Sequence, residues 1–219
     1  MMLSKQGFNL WADEYDKTVQ VSEENNLYPF AGYKRILNTI FNEAMQNEKS
    51  KILDIGFGTG VLTSKLYEEG HQMDGLDFSS KMVSIAQAKM PNANLKEWDI
   101  SNGLPDFVSE NKYDSIISTY TLHHLTDEAK VQLIKQLLPI LNQNGKLLIG
   151  DIAFETRSQL NNCRKDSEGY WDEEEIYFVA EEITATLAAF CSCTFYPISH
   201  CGGVFIISGS VMNQRLTCQ

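Results

Sequence analysis

The stretch KSKILDIGFGTGVLTSKLYEEG (residues 49–70) decides the fold. A short apolar run over 49–55 ends at glycines, and a segment with helical spacing over 61–70 follows and stops at Gly70. Between them stands Asp54-Ile55-Gly56-Phe57-Gly58-Thr59-Gly60. A loop that passes from a strand directly into a helix has to turn sharply and to let a ligand approach its backbone. Glycine supplies both properties, because it tolerates positive φ and carries no Cβ. The loop also lies at a helix N-terminus, where the first N–H groups have no partner within the helix.

Outward from that loop, strand and helix alternate. HQMDGLD (71–77) reads as a second strand, and SSKMVSIAQAKM (79–90) as a helix with a serine N-cap and a stop at Pro91. NLKEWD (94–99) and KYDSIISTYTL (112–122) read as strands, DEAKVQLIKQLLPILN (127–142) as a helix, and NGKLLIGD (144–151) as a turn and strand. Such alternation predicts an α/β fold with a doubly wound, mostly parallel sheet of Rossmann-like type, covered on both faces. Helices are expected over 6–17 and 29–47 before the first strand, and over 155–166 and 172–189 after the fifth. The segment 193–211 is expected to add an antiparallel hairpin at the edge. The whole, 1–219, reads as one domain: a helical cap over 1–48, a ligand-binding core over 49–151, and lid helices with the hairpin over 152–219.

The spacing of the glycines separates two ligand classes. A dinucleotide fingerprint is G-x-G-x-x-G. Here its third glycine position is Val61, and the motif is G-x-G-x-G ending at Gly60. Asp54, two places before the first glycine, suits a ligand bearing an ammonium group better than a pyrophosphate, which a carboxylate repels. Asp77 ends the second strand, where a carboxylate accepts hydrogen bonds from both hydroxyls of a ribose. Asp99 ends the third, in a place to meet an adenine amino group. Three carboxylates thus line the C-terminal edge of the sheet, where open α/β sheets bind ligands.

ILDIGFGTG, DGLDFSSKM, EWD, YDSIISTYTLHHL and LNQNGKLLIGD, in that order over about 50–151, resemble the sequential motifs of class I S-adenosylmethionine-dependent methyltransferases. FNLWADEYD (8–16) resembles the short helix that caps the cofactor there. YWDEEEIYFVAEEI and the final CGGVF are similar to the small YrrT-type methyltransferases of Gram-positive bacteria. The resemblance implies S-adenosylmethionine as cofactor and methyl transfer as the activity. Gly56, Gly58 and Gly60 would then pack on its methionine part and ribose, with Asp54 at the ammonium group and Asp77 at the ribose. Phe78, Met82, Asp99 and Ile100 would surround the adenine, Thr119 and Tyr120 would border the methyl group, and Tyr15 would close over the cofactor. LNQNGKL departs from the more frequent Pro-Gly-Gly turn, and Asn144-Gly145 makes a similar turn because Asn tolerates the left-handed conformation.

His123, His124 and Asp151 are the candidates for a general base, since an amine, hydroxyl or thiol acceptor has to shed a proton. Trp11, Tyr120, Tyr170 and Trp171 are candidates for the acceptor pocket, because aromatic walls attract a sulfonium and wrap an apolar or cationic acceptor. The acidic run Asp172–Glu175 reads as a solvated helix start. Cys191 and Cys193 are expected on opposite faces of a strand, and no metal is assigned.

Composition narrows the partners. The 219 residues carry 18 basic and 29 acidic side chains, a formal net charge of -11. With no basic run longer than two residues, nucleic acid and anionic membrane surfaces are excluded as expected partners. No apolar stretch reaches bilayer length and the start lacks a signal-peptide core, so a cytoplasmic address is expected. All five cysteines would then be reduced. A small-molecule acceptor and a monomer or homodimer are expected. A cofactor-binding sensor or partner protein without turnover fits the same motifs, because binding motifs and catalysis are separate properties.

Overall fold

The computed structural model describes residues 26–209. The expected helix over 6–17, with Trp11 and Tyr15, lies outside them, as does the end of the hairpin segment beyond 209.

Helix α1 (Tyr33–Ala44) precedes β1 (Lys51–Ile55), α2 (Val61–Glu68), β2 (Gln72–Asp77), α3 (Ser80–Lys89) and β3 (Asn94–Glu97). A short α4 (Asp106–Ser109) leads to β4 (Tyr113–Thr119), α5 (Asp127–Leu137) and β5 (Leu141–Phe154). The chain continues through α6 (Arg157–Asp166), β6 (Phe178–Val179), α7 (Ala180–Leu187), β7 (Cys191–Pro197) and β8 (Gly202–Gly209). The strand order is β3-β2-β1-β4-β5-β8-β7, with β6 beside the end of β5. The first five strands are mutually parallel, whereas β8 runs antiparallel between β5 and β7. The order reverses between β1 and β4, which opens a crevice at their carboxyl ends.

The alternation of side chains along each strand sorts the core into two layers. Ile52 and Leu148 face Ile36, Ile40 and Leu66, whereas Leu53, Ile55, Leu147 and Ile149 face Leu133, Ile134, Leu137 and Leu187. Strands buried on both sides read as apolar runs, which is why β1 and β4 were legible. Ser79 caps α3 by accepting from the Met82 N–H, and Thr126 caps α5 by accepting from the Ala129 N–H.

Four expectations are corrected. The helix expected over 172–189 is confined to Ala180–Leu187. Tyr177, Phe178 and Val179 are buried in succession, a pattern that suits a covered strand, and β6 pairs with Ala153 and Phe154 of β5. The helix expected to reach residue 142 ends at Leu137, where a 3-10 turn containing Pro139 takes over. Strand β5 extends to Phe154, so Asp151 is not at its end. Cys191 and Cys193 share a face, because side chains alternate with a period of two; both turn toward the Leu187–Phe205 layer.

Gly150 is a tight point of this packing. A Cβ there would lie 2.4 Å from Ile36 Cγ2 and 2.7 Å from Ile40 Cδ1 of α1. Gly150→Ala is expected to push α1 off the sheet and cost about 1–3 kcal/mol, as overpacking does. A fall in the urea midpoint with an unchanged m-value checks it.

Candidate active site

The glycine loop starts at the crevice. Gly56 takes φ 73°, and a Cβ on it would lie 2.1 Å from Thr121 Oγ1, so only glycine fits. Thr121 Oγ1 in turn reaches the Gly56 carbonyl at 3.2 Å, closing β1 against the segment after β4. A Cβ on Gly58 would meet nothing within 4 Å, so the loop is open there on its ligand side. The Gly58 N–H donates to Asp77 Oδ2 at 2.8 Å, and the Ser79 N–H donates to Asp77 Oδ1 at 2.9 Å. Asp77 is thereby fixed between loop and helix, while burial raises its carboxyl above the ordinary range against those two bonds.

Two cavities that share walls flank Asp77. One, of about 80 Å³, is lined by Asp54, Gly56, Gly58, Met82, Thr119, Tyr120, Tyr33 and His124. The other, of about 450 Å³, is lined by Asp77, Phe78, Trp98, Asp99, Ile100 and His124. Asp77, Phe78, Gly56, Thr121 and His124 border both. The arrangement is a long slot with a narrow end and a wide, partly aromatic end.

Asp54 sits at the narrow end and is 1% exposed. Its Oδ2 accepts from Thr63 Oγ1 at 2.6 Å, but its Oδ1 is buried and has no hydrogen-bond partner. Burial pushes its carboxyl up to about 7, Thr63 opposing and Asp77 adding to the shift. A buried carboxylate oxygen without a donor is costly. A ligand ammonium delivered to the slot would relieve that cost. Asp99 is exposed at the wide end, and one of its oxygens accepts from the Ser101 N–H at 2.9 Å.

The three candidates for a base separate. Asp151 is fully buried and lines neither cavity. It accepts from the Leu122 N–H at 3.0 Å and the Ile152 N–H at 2.8 Å, and bonds His123 Nδ1 at 2.6 Å. His123 is 5% exposed and lines neither cavity. Burial alone would lower its pKa, but the Asp151 carboxylate outweighs burial and raises it. His124 reaches the slot; burial and the neighbouring His123 lower it to about 4. It is therefore a neutral imidazole at neutral pH, and a weak base. Of the three residues that the sequence marked, only His124 lines the slot, and the other two stand behind it.

The aromatic candidates separate as well. Tyr120 borders the narrow cavity, packed on Phe30 and Tyr33 with ring centroids 5.3 and 5.2 Å away. Trp171 instead stacks on Tyr28 at 5.0 Å and meets Tyr177 edge-on at 4.9 Å, away from the slot lining. Tyr170 is 85% exposed and belongs to no wall. Sequence reading places Tyr33 only among the aromatics of a candidate lid, and it missed Trp98 and Thr121 as slot residues. Thr121 stands inside the fourth-strand motif already singled out, whereas Tyr33 arrives from a helix far from any motif. It also missed Glu175, taken as part of a solvated run. That side chain reaches His123 Nε2 at 3.5 Å and His124 Nδ1 at 3.8 Å.

A parallel sheet with a G-x-G-x-G turn at its switch point, and acids at the next two strand ends, defines a nucleoside-binding cleft of the Rossmann-like kind. The family described as a methyltransferase domain matches residues 52–145. An uncharacterized methyltransferase of Oceanobacillus iheyensis is 37% identical over 155 residues, covering 71% of this chain and 70% of that protein. Among solved structures, a DhpI complex with S-adenosylhomocysteine superposes with a TM-score of 0.68 at 16% identity, over 94% of this chain and 95% of that one. The magnesium protoporphyrin IX methyltransferase of Synechocystis superposes with a TM-score of 0.66 at 20% identity, over 83% and 85% of the two chains. The chain belongs to the class I S-adenosylmethionine-dependent methyltransferases.

The state of Asp54 has a measurable consequence. Its folded pKa of about 7 stands above the unfolded value of 3.8, so the native state holds more protons between them. Stability then falls as pH rises through that window. Asp54→Asn is expected to flatten this fall, read from urea midpoints across the same range. An ammonium group at Oδ1 favours the carboxylate. Binding of S-adenosylmethionine near pH 6 is therefore expected to release up to about one proton, and almost none above about pH 8. Calorimetry in buffers of different ionisation enthalpy measures that number.

Proposed function

We propose that this enzyme transfers the methyl group of S-adenosylmethionine to a small-molecule acceptor entering beside Tyr33, Tyr120 and His124. The observation that carries this reading is the slot itself. Its narrow end holds a buried carboxylate with one oxygen lacking a donor, and its wide end lies between Phe78, Trp98 and Ile100. Asp54 would take the ammonium group and Asp77 the ribose hydroxyls. Asp99 would accept from the adenine amino group, with Ile100 and Phe78 against the ring and Met82 beneath the ribose. Gly56, Gly58 and Gly60 would let the backbone approach, and Thr119 would lie near the transferable group.

Bound S-adenosylmethionine supplies a methyl group already activated as a sulfonium. What remains for the protein is to hold the acceptor in line and exclude water. Tyr33 and Tyr120 wall the narrow end with π faces, which attract a sulfonium without titrating. His124, kept neutral by burial, carries no charge of its own at the slot. A narrow, walled approach and a net charge of -11 favour a small acceptor over nucleic acid. Among the described residues no helix is long and apolar enough to cross a membrane. The free thiols of Cys163, Cys191, Cys193 and Cys201 fit a reducing compartment, hence the cytoplasm.

Two measurements test this. Asp77→Ala is expected to weaken S-adenosylmethionine binding on the order of 10–100-fold, the loss of hydrogen bonds to a charged acceptor. Affinity unchanged in calorimetry would remove Asp77 from the site. With methyl-labelled cofactor and a cell extract split by a filter that retains macromolecules, label is expected in the fraction that passes. Label confined to protein or RNA would overturn the small-molecule reading.

A further inference from the structure

Behind the slot, His123, His124 and Glu175 each bring one donor atom to a single spot, all within 4.8 Å of one another. Glu175 Oε1 stands 3.5 Å from His123 Nε2 and 3.8 Å from His124 Nδ1. The 3.8 Å contact is too long for a hydrogen bond, and the 3.5 Å one is at the outer limit. Donor atoms held at about 2.0–2.1 Å around a tetrahedral ion lie about 3.3–3.4 Å apart, and the two Glu175 distances stand within half an ångström of that spacing.

The outer contacts favour the same conclusion. His123 Nδ1 is paired with Asp151 at 2.6 Å. With the Nδ1 proton donated to that carboxylate, Nε2 presents a lone pair, and it faces a carboxylate oxygen. In that neutral tautomer the two acceptors call for a positive charge between them, which either an ion or a second proton on His123 supplies. Glu175 Oε2 accepts from Tyr177 OH at 2.8 Å, which orients Oε1 toward the imidazoles. The Ile176 N–H donates to the His123 carbonyl at 2.8 Å, and Lys130 Nζ donates to the Ile176 carbonyl at 2.5 Å. The loop carrying Glu175 is thus tied to the turn carrying the histidines. A carboxylate behind a ligating histidine and a hydroxyl behind a ligating carboxylate are the supports that metal sites use to fix tautomer and orientation.

We propose that His123 Nε2, His124 Nδ1 and Glu175 Oε1 bind one divalent transition ion of the zinc class, with a further coordination position left for a ligand. Two imidazoles and one carboxylate are the donor set of open, catalytic zinc sites. His124 borders both cavities of the slot, so the ion lies at its inner edge. The binding stands on geometry alone; its chemical consequence rests on the methyl-transfer reading. An acceptor hydroxyl or thiol coordinated to the ion gives its proton to water, since a bound metal lowers such a pKa. Its lone pair then forms the bond to the methyl carbon, while the carbon–sulfur pair passes to the sulfur, turning sulfonium into thioether. The acceptor class is therefore a small alcohol, phenol or thiol, and no side chain has to act as base.

The test is a calorimetric titration of chelator-treated full chain with Zn²⁺, followed by the Co²⁺ absorption spectrum. One ion per chain is expected at micromolar affinity or tighter. Glu175→Gln is expected to lose at least about tenfold in that affinity and to bind S-adenosylmethionine as the parent does, which shows that it folds. His123→Gln, whose amide can still donate to Asp151, is the second variant, with the same loss of ion affinity expected. The Co²⁺ spectrum is expected to lack the intense near-ultraviolet band of cysteine ligands. Absence of ion binding in protein that still binds S-adenosylmethionine would overturn the site, the positive charge being then a proton on His123. Unchanged affinity in both variants, or a strong sulfur band, would overturn it too. Ion binding without S-adenosylmethionine binding would instead sink the methyltransferase reading and leave the metal site standing.

Discussion

The buried carboxylate of Asp151 is the constraint on which the back of the active site depends. It has no water to turn to, so every lone pair it exposes has to be met from the chain. The Leu122 and Ile152 N–H groups and the His123 ring meet it. Burial opposes its ionisation, but the facing His123 and those bonds win and hold it below the usual carboxylate range. By gripping Leu122 and His123 at once, it sets the turn after β4. That turn places His124 on the slot and presents the His123 carbonyl to Ile176. The loop from 172 to 177 and the short β6 follow from there.

On the proposed reading, the charge that the slot faces changes with the reaction. Asp54 and Asp77 are both buried and both displaced upward by desolvation. Such groups are stabilised by a cationic ligand far more than by a neutral one, because the local dielectric is low. The sulfonium and the ammonium group of the methyl donor supply two positive charges. The thioether that remains keeps one. On the proposed reading Asp54 keeps the ammonium group and Asp77 the ribose through the reaction, and the walls of Tyr33 and Tyr120 are what lose a charged partner.

Much of this was legible in the sequence. The β1-loop-α2 unit, Asp77 at the end of β2 and the Ser79 cap depend on short-range rules of period and capping, and these act within a dozen residues. What was lost depends on long-range pairing. Asp151 reads as a strand end, but β8 pairs with β5 from Leu147 through Ile152 and β6 pairs with Ala153 and Phe154, so the strand continues past it. Glu175 sits in a run of acids that looks solvated; Glu173 is indeed exposed and salt-bridged to Arg164. Nothing local distinguishes the one neighbour that turns inward to a histidine pair some 50 residues earlier. Tyr170 and Trp171 are adjacent aromatics with opposite fates, since only Trp171 finds Tyr28 to stack on.

The position of β8 carries a consequence for biosynthesis. This strand lies between β5 and β7, although it follows both in the chain. While a ribosome makes the 47 residues that lie between Phe154 and Gly202, the outer edge of β5 has no partner. At about 5–20 residues per second that interval lasts roughly 2–10 s. During it a strand holding Leu147, Leu148 and Ile149 is a template for any other extended chain nearby. The nascent protein depends on rapid delivery of its closing hairpin, and slow codons between α6 and β8 would raise aggregation without altering the finished fold.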